Sequence, residues 1–299
     1  MRSPLQVSAE VEAALAAGRP VVALETSIVG QGLPAPHSLR AALECEAAIR
    51  DQGGVPATVA VLDGALRIGL TREDLERIAR DSRKVSSRDL GPALAAGGVG
   101  ATTVAATMRI AGMAGIRFMA TGGIGGVHRG HPEDQSADLV ELAFTPVAVF
   151  CAGPKIILDL PLTMERLESL QVPVLGFGTD ELPGFYTRRT GSRVSARVDG
   201  VEAAARVLAL AWSTQSSGIV VAIPPPDELP DAERLVEQAL TEAGGVSGGD
   251  VTPRLLAKVA ELSGGRSLDL NVELVVNNAR IAAQVARAYS EQSRQPAPQ

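Results

Sequence analysis

Short apolar runs alternate along the chain with stretches in which apolar residues recur at helical spacing. Pro20 to Leu24, Pro56 to Leu62, Ile116 to Ala120, Pro146 to Cys151, Val172 to Phe177 and Gly218 to Ile223 each read as a strand buried on both faces. Ala65 to Gly69 answers the second of these across a turn at Asp63-Gly64. Helices are predicted over 37–52, 102–112, 138–143, 162–170, 201–212, 231–243, 253–262 and 268–288, and another begins at Thr71. In that one Glu73 and Asp74 occupy the first turn and Arg77 and Arg80 come later, an order that complements the helix dipole. Apolar strands separated by helices predict a mostly parallel sheet covered on both faces. No stretch has linker composition, so residues 1–289 read as one domain. Residues 290–299, polar and Pro-containing, read as a disordered tail.

Composition narrows this picture. Hydrophobic residues make up 45% of the 299 positions and aromatics only 3%, so the core is built from Ala, Val, Leu and Ile. That apolar content excludes a disordered chain, and two cysteines exclude a disulfide scaffold. The net charge of −6 argues against a general nucleic-acid binder, which needs a basic face to displace phosphate counterions. No apolar stretch reaches the roughly 18–20 residues of a membrane helix, so no membrane partner is expected. Met1-Arg2-Ser3-Pro4 lacks the basic run and apolar core of a signal peptide. Count alone leaves a disulfide between Cys45 and Cys151 open, but reduced, buried thiols and a cytoplasmic location are the expectation.

Four segments carry groups that packing alone does not require. Glu25 directly follows a buried strand, where open α/β sheets hold ligands; partial desolvation there raises a carboxyl pKa and suits it to proton transfer. A turn or capping carboxylate is the plainer alternative. Lys84-Val85-Ser86-Ser87-Arg88-Asp89-Leu90 gathers two cations and two hydroxyls, a set that can hold a phosphate or simply make a solvated turn. Ala120 to Gly130 contains two glycine pairs followed by His128 and Arg129; its spacing matches neither the dinucleotide fingerprint nor the Walker pattern. Paired glycines let backbone N–H groups approach an anion, although a flexible loop would look the same. Downstream, Glu133, Asp134, Ser136 and Asp138 offer oxygen ligands for a hard divalent cation, or an acidic helix start. Lys155 stands between apolar runs, where desolvation lowers an amine's pKa and frees it as a nucleophile; a snorkelling lysine is the alternative.

Together these segments resemble the pseudouridine-5′-phosphate glycosidase family, which includes the indigoidine synthase A-like proteins. The matching stretches are Val22 to Glu25, Gly53 to Gly69, Lys84 to Leu90, Gly100 to Met108, Ala120 to Gly130, Ser136 to Leu142, Cys151 to Leu160, Phe177 to Glu181 and Asn277 to Arg280, so the likeness runs from about Val21 to Ala288. It implies a three-layer α/β/α fold with a central mixed, mostly parallel sheet, and a homotrimer. It also implies a manganese-dependent enzyme, one divalent cation per subunit, that reversibly splits pseudouridine 5′-phosphate into uracil and ribose 5-phosphate. By position, Lys155 matches the nucleophile and Glu25 the proton donor and acceptor. Asp134 matches the metal ligand, with Glu133 beside it. Lys84, Val104, Ser136, Ala137, Asp138 and Asn278 match substrate contacts. This sequence departs from the family pattern at Thr26-Ser27, at Ser87, at Pro154 and in a segment before Asp134 that is about two residues shorter.

The bond in question is C–C. An ordinary glycosidase protonates an oxygen or nitrogen leaving group between two carboxylates. A departing carbon needs another route, which an imine between Lys155 and ribose C1′, with Glu25 moving protons to uracil C5, would supply. Two other readings compete: a catalytically silent sugar-phosphate or nucleotide binder on the same fold, and a related C-ribosyl enzyme of secondary metabolism.

Overall fold

Four-residue runs without a polar position are stable only where both faces are covered, and the chain places them in the middle of one sheet. The computed structural model describes residues 3–243 and 251–294. Its strands are β1 (Leu5–Val7), β2 (Val21–Leu24), β3 (Val55–Leu62), β4 (Ala65–Ile68), β5 (Arg83–Val85), β6 (Val99–Thr102), β7 (Phe118–Ala120), β8 (Val127–His128), β9 (His131–Gln135), β10 (Ala148–Cys151), β11 (Leu158–Asp159), β12 (Val174–Phe177), β13 (Ala196–Val198) and β14 (Ile219–Ala222). The main sheet runs β1-β4-β3-β2-β7-β10-β14-β12-β13, with β6 also on β3 and β5 on β6. From β3 through β2 to β13 every pairing is parallel; β3 meets β4 and β6 antiparallel. The sheet is thus mixed and mostly parallel, as expected. A separate small sheet, β11-β8-β9, is antiparallel.

Alternation along the strands divides the core. Val22, Leu24, Ala120 and Phe150 face one layer, with Ala41, Cys45 and the run Ala279 to Ala286. Val21, Ala23, Met119 and Val149 face the other, with Met108, Leu139 and Leu142. On the first side the helix Arg266–Arg294 packs across His37–Asp51 and Val201–Thr214. On the second lie Val104–Met113, Ala137–Phe144 and Leu160–Ser169. Alanine is the common currency of these contacts because it lets helix backbones lie close to the sheet. Both cysteines are buried and unpaired, as expected. No described helix is long and apolar enough to cross a membrane.

Two expectations change. Thr102 ends a strand rather than starting a helix, because its hydroxyl donates to Val59 O at 2.7 Å within a buried threonine network that includes Thr26. Thr103 then caps the helix that begins at Val104. The tail predicted from residue 290 remains helical through Arg294: Ser290 and Ser293 return their hydroxyls to Ala286 O and Tyr289 O, and Gln292 donates to Glu202 O. Polar composition there marks an exposed helix end; residues 295–299 lie outside the described residues.

Gly153, at the turn after β10, has φ +83°, and a Cβ would lie 2.0 Å from Pro183 O, a backbone atom. Gly153→Ala meets both the left-handed penalty and a collision, and is expected to cost about 3 kcal/mol or more in urea unfolding.

Candidate active site

The site begins with strand register. Leu24 lies opposite Ala120, and Ala120 opposite Phe150, so β2, β7 and β10 end level with one another. Glu25, Thr121 and the turn after Cys151 therefore emerge side by side at the carboxyl edge of the sheet, the usual ligand position in such folds. Pairing continues past the strands. Thr121 N donates to Phe150 O at 3.0 Å, Ala152 N to Gly122 O at 2.9 Å, and Lys155 N to Ile124 O at 3.2 Å. The glycine-rich loop and the Lys155 loop are thereby zipped together, and Lys155 Nζ donates to Gly123 O at 2.9 Å. Gly123 is required by space: a Cβ would lie 2.6 Å from the Phe185 ring and 2.9 Å from Gly153 O.

Both oxygens of the Glu25 carboxylate are held, one by the Thr121 hydroxyl and the other by that of Ser27. Desolvation raises the Glu25 carboxyl above the usual carboxylate range; the Lys155 charge and the two hydroxyl donors work against it. Removing one donor is expected to raise it further. Thr121→Val should move the high-pH limb of the kcat/KM profile, where Glu25 loses its proton, to higher pH, an outcome that a pH–rate series checks directly.

Glu25 and Lys155 line a cavity of about 540 Å³ together with Lys84, Val104, Asp134, Ser136, Ala137 and Asp138. The first turns of the helices Val104–Met113 and Ala137–Phe144 open on it, capped by the Thr103 and Ser136 side chains. Two helix N-termini with Lys84 and Arg88 nearby make an anion-accepting end. A larger open groove of about 680 Å³, between the helix Leu160–Ser169 and residues 192–195, contains none of the predicted site residues.

Asp138 is buried, and each of its oxygens accepts a backbone N–H: Ala105 N at 2.9 Å and Gly125 N at 2.8 Å. It lines the cavity while tying the glycine loop to a helix start. Asn278 is placed otherwise than expected. It is fully buried beneath the glycine loop, donating to Thr121 O at 2.9 Å, and does not line the cavity. Asn271, two turns earlier on the same helix, does line it and donates to Tyr186 Oη at 3.0 Å. Thr121, Asn271 and Phe185 are the residues that sequence reasoning missed. Phe185 combines complete burial with φ +65°, a signal visible only in the folded backbone. Burial pushes the Cys151 thiol up to about 12, which leaves it inert beside Lys155.

Asp134 reaches the cavity from β9, and its carboxylate accepts from His128 Nδ1 at 2.7 Å. Glu133 points to solvent beside His131 and is not part of the lining. Among the described residues no group of three acidic, His or Cys side chains forms a cage for a metal ion. The donors present suit a hard cation held by one carboxylate and otherwise by water and substrate oxygens.

Comparison with known proteins agrees with this architecture. The family described as indigoidine synthase A like protein matches residues 10–288. A pseudouridine-5′-phosphate glycosidase of Sorangium cellulosum is 49% identical over 97% of this chain and 95% of its own, and that of Escherichia coli K12 is 48% identical over 95% of each. The crystal structure of the prealnumycin C-glycosynthase AlnA in complex with ribulose 5-phosphate superposes with a TM-score of 0.89 at 38% identity, covering 99% of this chain and 100% of that one. An indigoidine synthase A-like protein of Thermotoga maritima gives the same TM-score at 33% identity, covering 97% and 98%. Near-complete coverage at such identity, on a fold whose sheet edge brings the glutamate and the lysine into one cavity, places the chain in the indigoidine synthase A-like family, the family of the pseudouridine-5′-phosphate glycosidases.

Proposed function

We propose that this protein reversibly cleaves the C–C glycosidic bond of pseudouridine 5′-phosphate, giving uracil and ribose 5-phosphate. The observation that carries this reading is the single cavity shared by Lys155, Glu25 and two helix N-termini. The phosphate binds at the helix N-termini with Lys84, which leaves C1′ toward Lys155. Lys155 Nζ bonds to C1′ as the C1′–O4′ bond opens, Glu25 gives its proton to the ring oxygen, and the nitrogen hands one proton back to Glu25, which restores its lone pair. Glu25 moves protons, one of them to uracil C5. The C1′–C5 electron pair then returns to the base while the nitrogen lone pair closes an imine at C1′. Water hydrolyses the imine and frees ribose 5-phosphate. Glu25 suits a proton shuttle because its carboxyl holds a proton more readily than a solvated one. Asp134 would hold Mn²⁺, which when bound adds positive charge and ordered water at that end of the cavity.

The test is direct. Purified protein is incubated with pseudouridine 5′-phosphate, with and without Mn²⁺, and uracil and ribose 5-phosphate are measured; absence of both products under both conditions overturns the reading. A homotrimer and a cytoplasmic location belong to the same proposal, the first measurable by light scattering. A second reading, C–C bond formation between a pentose phosphate and another acceptor, is favoured by the likeness to the C-glycosynthase. Apolar walls at Phe185, Leu33 and Leu256 would suit an aromatic acceptor. A silent binding protein is disfavoured because it would have no need of Glu25 and Lys155 in one cavity.

A further inference from the structure

Arg129 follows the glycine loop and, from sequence, counts as one more donor to an anion. Its side chain goes elsewhere. Nε donates to Leu158 O at 3.0 Å and Nη2 to Ile156 O at 2.7 Å, and Arg129 does not line the cavity. Among the described residues no carboxylate pairs with it, so the guanidinium is committed to these two carbonyls. Ile156, Ile157 and Leu158 are all buried, and Leu158 N closes a turn onto Lys155 O at 2.9 Å. The same stretch pairs Leu158 with His128, the residue before Arg129, whose ring holds Asp134.

We propose that Arg129 is the positioning residue for Lys155: its two-pronged bond locks the turn Lys155–Leu158 to the hairpin that carries His128 and Asp134. The proposal rests on the reading of Lys155 as nucleophile for its kinetic consequence, and on the two carbonyl bonds alone for its structural one. A planar fork reaches two carbonyls at once; a lysine ammonium in its place has no such fixed geometry. Removing it leaves two carbonyl oxygens of a buried turn without their charged donor and lets the Lys155 backbone drift. Small misplacements of a reacting group lower the rate far more than they lower binding, on the order of 10²-fold for about 1 Å. The phosphate end, built from Lys84 and the two helix N-termini, receives no bond from Arg129.

The experiment compares wild type, R129M and R129K. Expected for R129M is a kcat lower by about ten- to a hundredfold with KM within about threefold, and slower borohydride trapping of the ribose-phosphate adduct on Lys155 by the same factor. Guanidinium ion added to R129M is expected to restore part of kcat, and R129K to fall between the two. Amide hydrogen exchange of residues 155–158 is expected to be faster in R129M, which tests the lock whatever reaction the protein performs. Unchanged exchange there, or R129M with wild-type kcat, overturns the proposal. A wild-type protein without adduct, but with exchange that responds to R129M, overturns the nucleophile reading and leaves the lock standing. If R129M does not fold, R129K carries the same measurements.

Discussion

Lys155→Ala is expected to lower kcat on pseudouridine 5′-phosphate by at least about 10⁴-fold, the scale on which loss of a covalent nucleophile is felt. The size follows from the bond. Carbon is a poor leaving group, and neither water nor Glu25 can supply the nitrogen lone pair that drives C1′–C5 cleavage. Cys151 offers no substitute: it is fully buried, with its thiol pushed up to about 12. Borohydride added during turnover should attach a ribose-phosphate mass to wild type and none to the variant. Full activity in Lys155→Ala would sink the imine route. Binding should survive, since the contacts assigned to the substrate lie at Lys84, Val104 and Ser136–Asp138.

Glu25→Gln has the second-largest expected effect, a kcat lower by about 10²–10⁴-fold with ligand affinity kept within a few-fold, measured by calorimetry with ribose 5-phosphate. Glutamine keeps the shape, its Oε1 accepting from one of the Thr121 and Ser27 hydroxyls and its Nε2 donating to the other, but it has no transferable proton. A stability effect of opposite sign accompanies it. Desolvation makes the folded protein hold the Glu25 proton more tightly than the unfolded chain does. Stability is therefore lost as pH rises from the ordinary carboxylate pKa through the raised folded value, and stays lost above it. Glutamine removes that loss, so the variant is expected to have a higher Tm than wild type at pH 8 and a difference that shrinks toward pH 4. An active site that destabilises its own fold is a common consequence of placing a carboxyl for proton transfer.

Most of the sheet was legible because strands buried on both faces need unbroken apolar runs, and Val21–Leu24, Val55–Leu62, Ala148–Cys151 and Ile219–Ala222 have them. The strands that sequence reasoning missed are short or polar. β5 is Arg-Lys-Val and β9 is His-Pro-Glu-Asp-Gln, so neither carries a hydrophobic period, and pairing with a neighbour alone makes them strands. Helix ends were the other weakness: Thr102 and Thr103 look alike in sequence, and only the buried hydroxyl network assigns one to a strand and the other to a cap. Glu25 and Lys155 could be singled out because a charge at the end of an apolar run is conspicuous. Asn278 could not be placed, since whether an asparagine on a long helix faces the ligand or the underside of a loop depends on what packs over it.

The residue order alone determined an alanine- and valine-rich α/β chain with a glutamate and a glycine-rich loop placed directly after buried strands and a lysine a short turn after another, because burial and hydrogen bonding act on local pattern. Only tertiary structure decided that those strands are neighbours and end level, that Asp138 and Arg129 spend their charge on backbone groups, and that Thr121 holds Glu25. These depend on pairing between segments roughly thirty to a hundred residues apart, which no local pattern encodes.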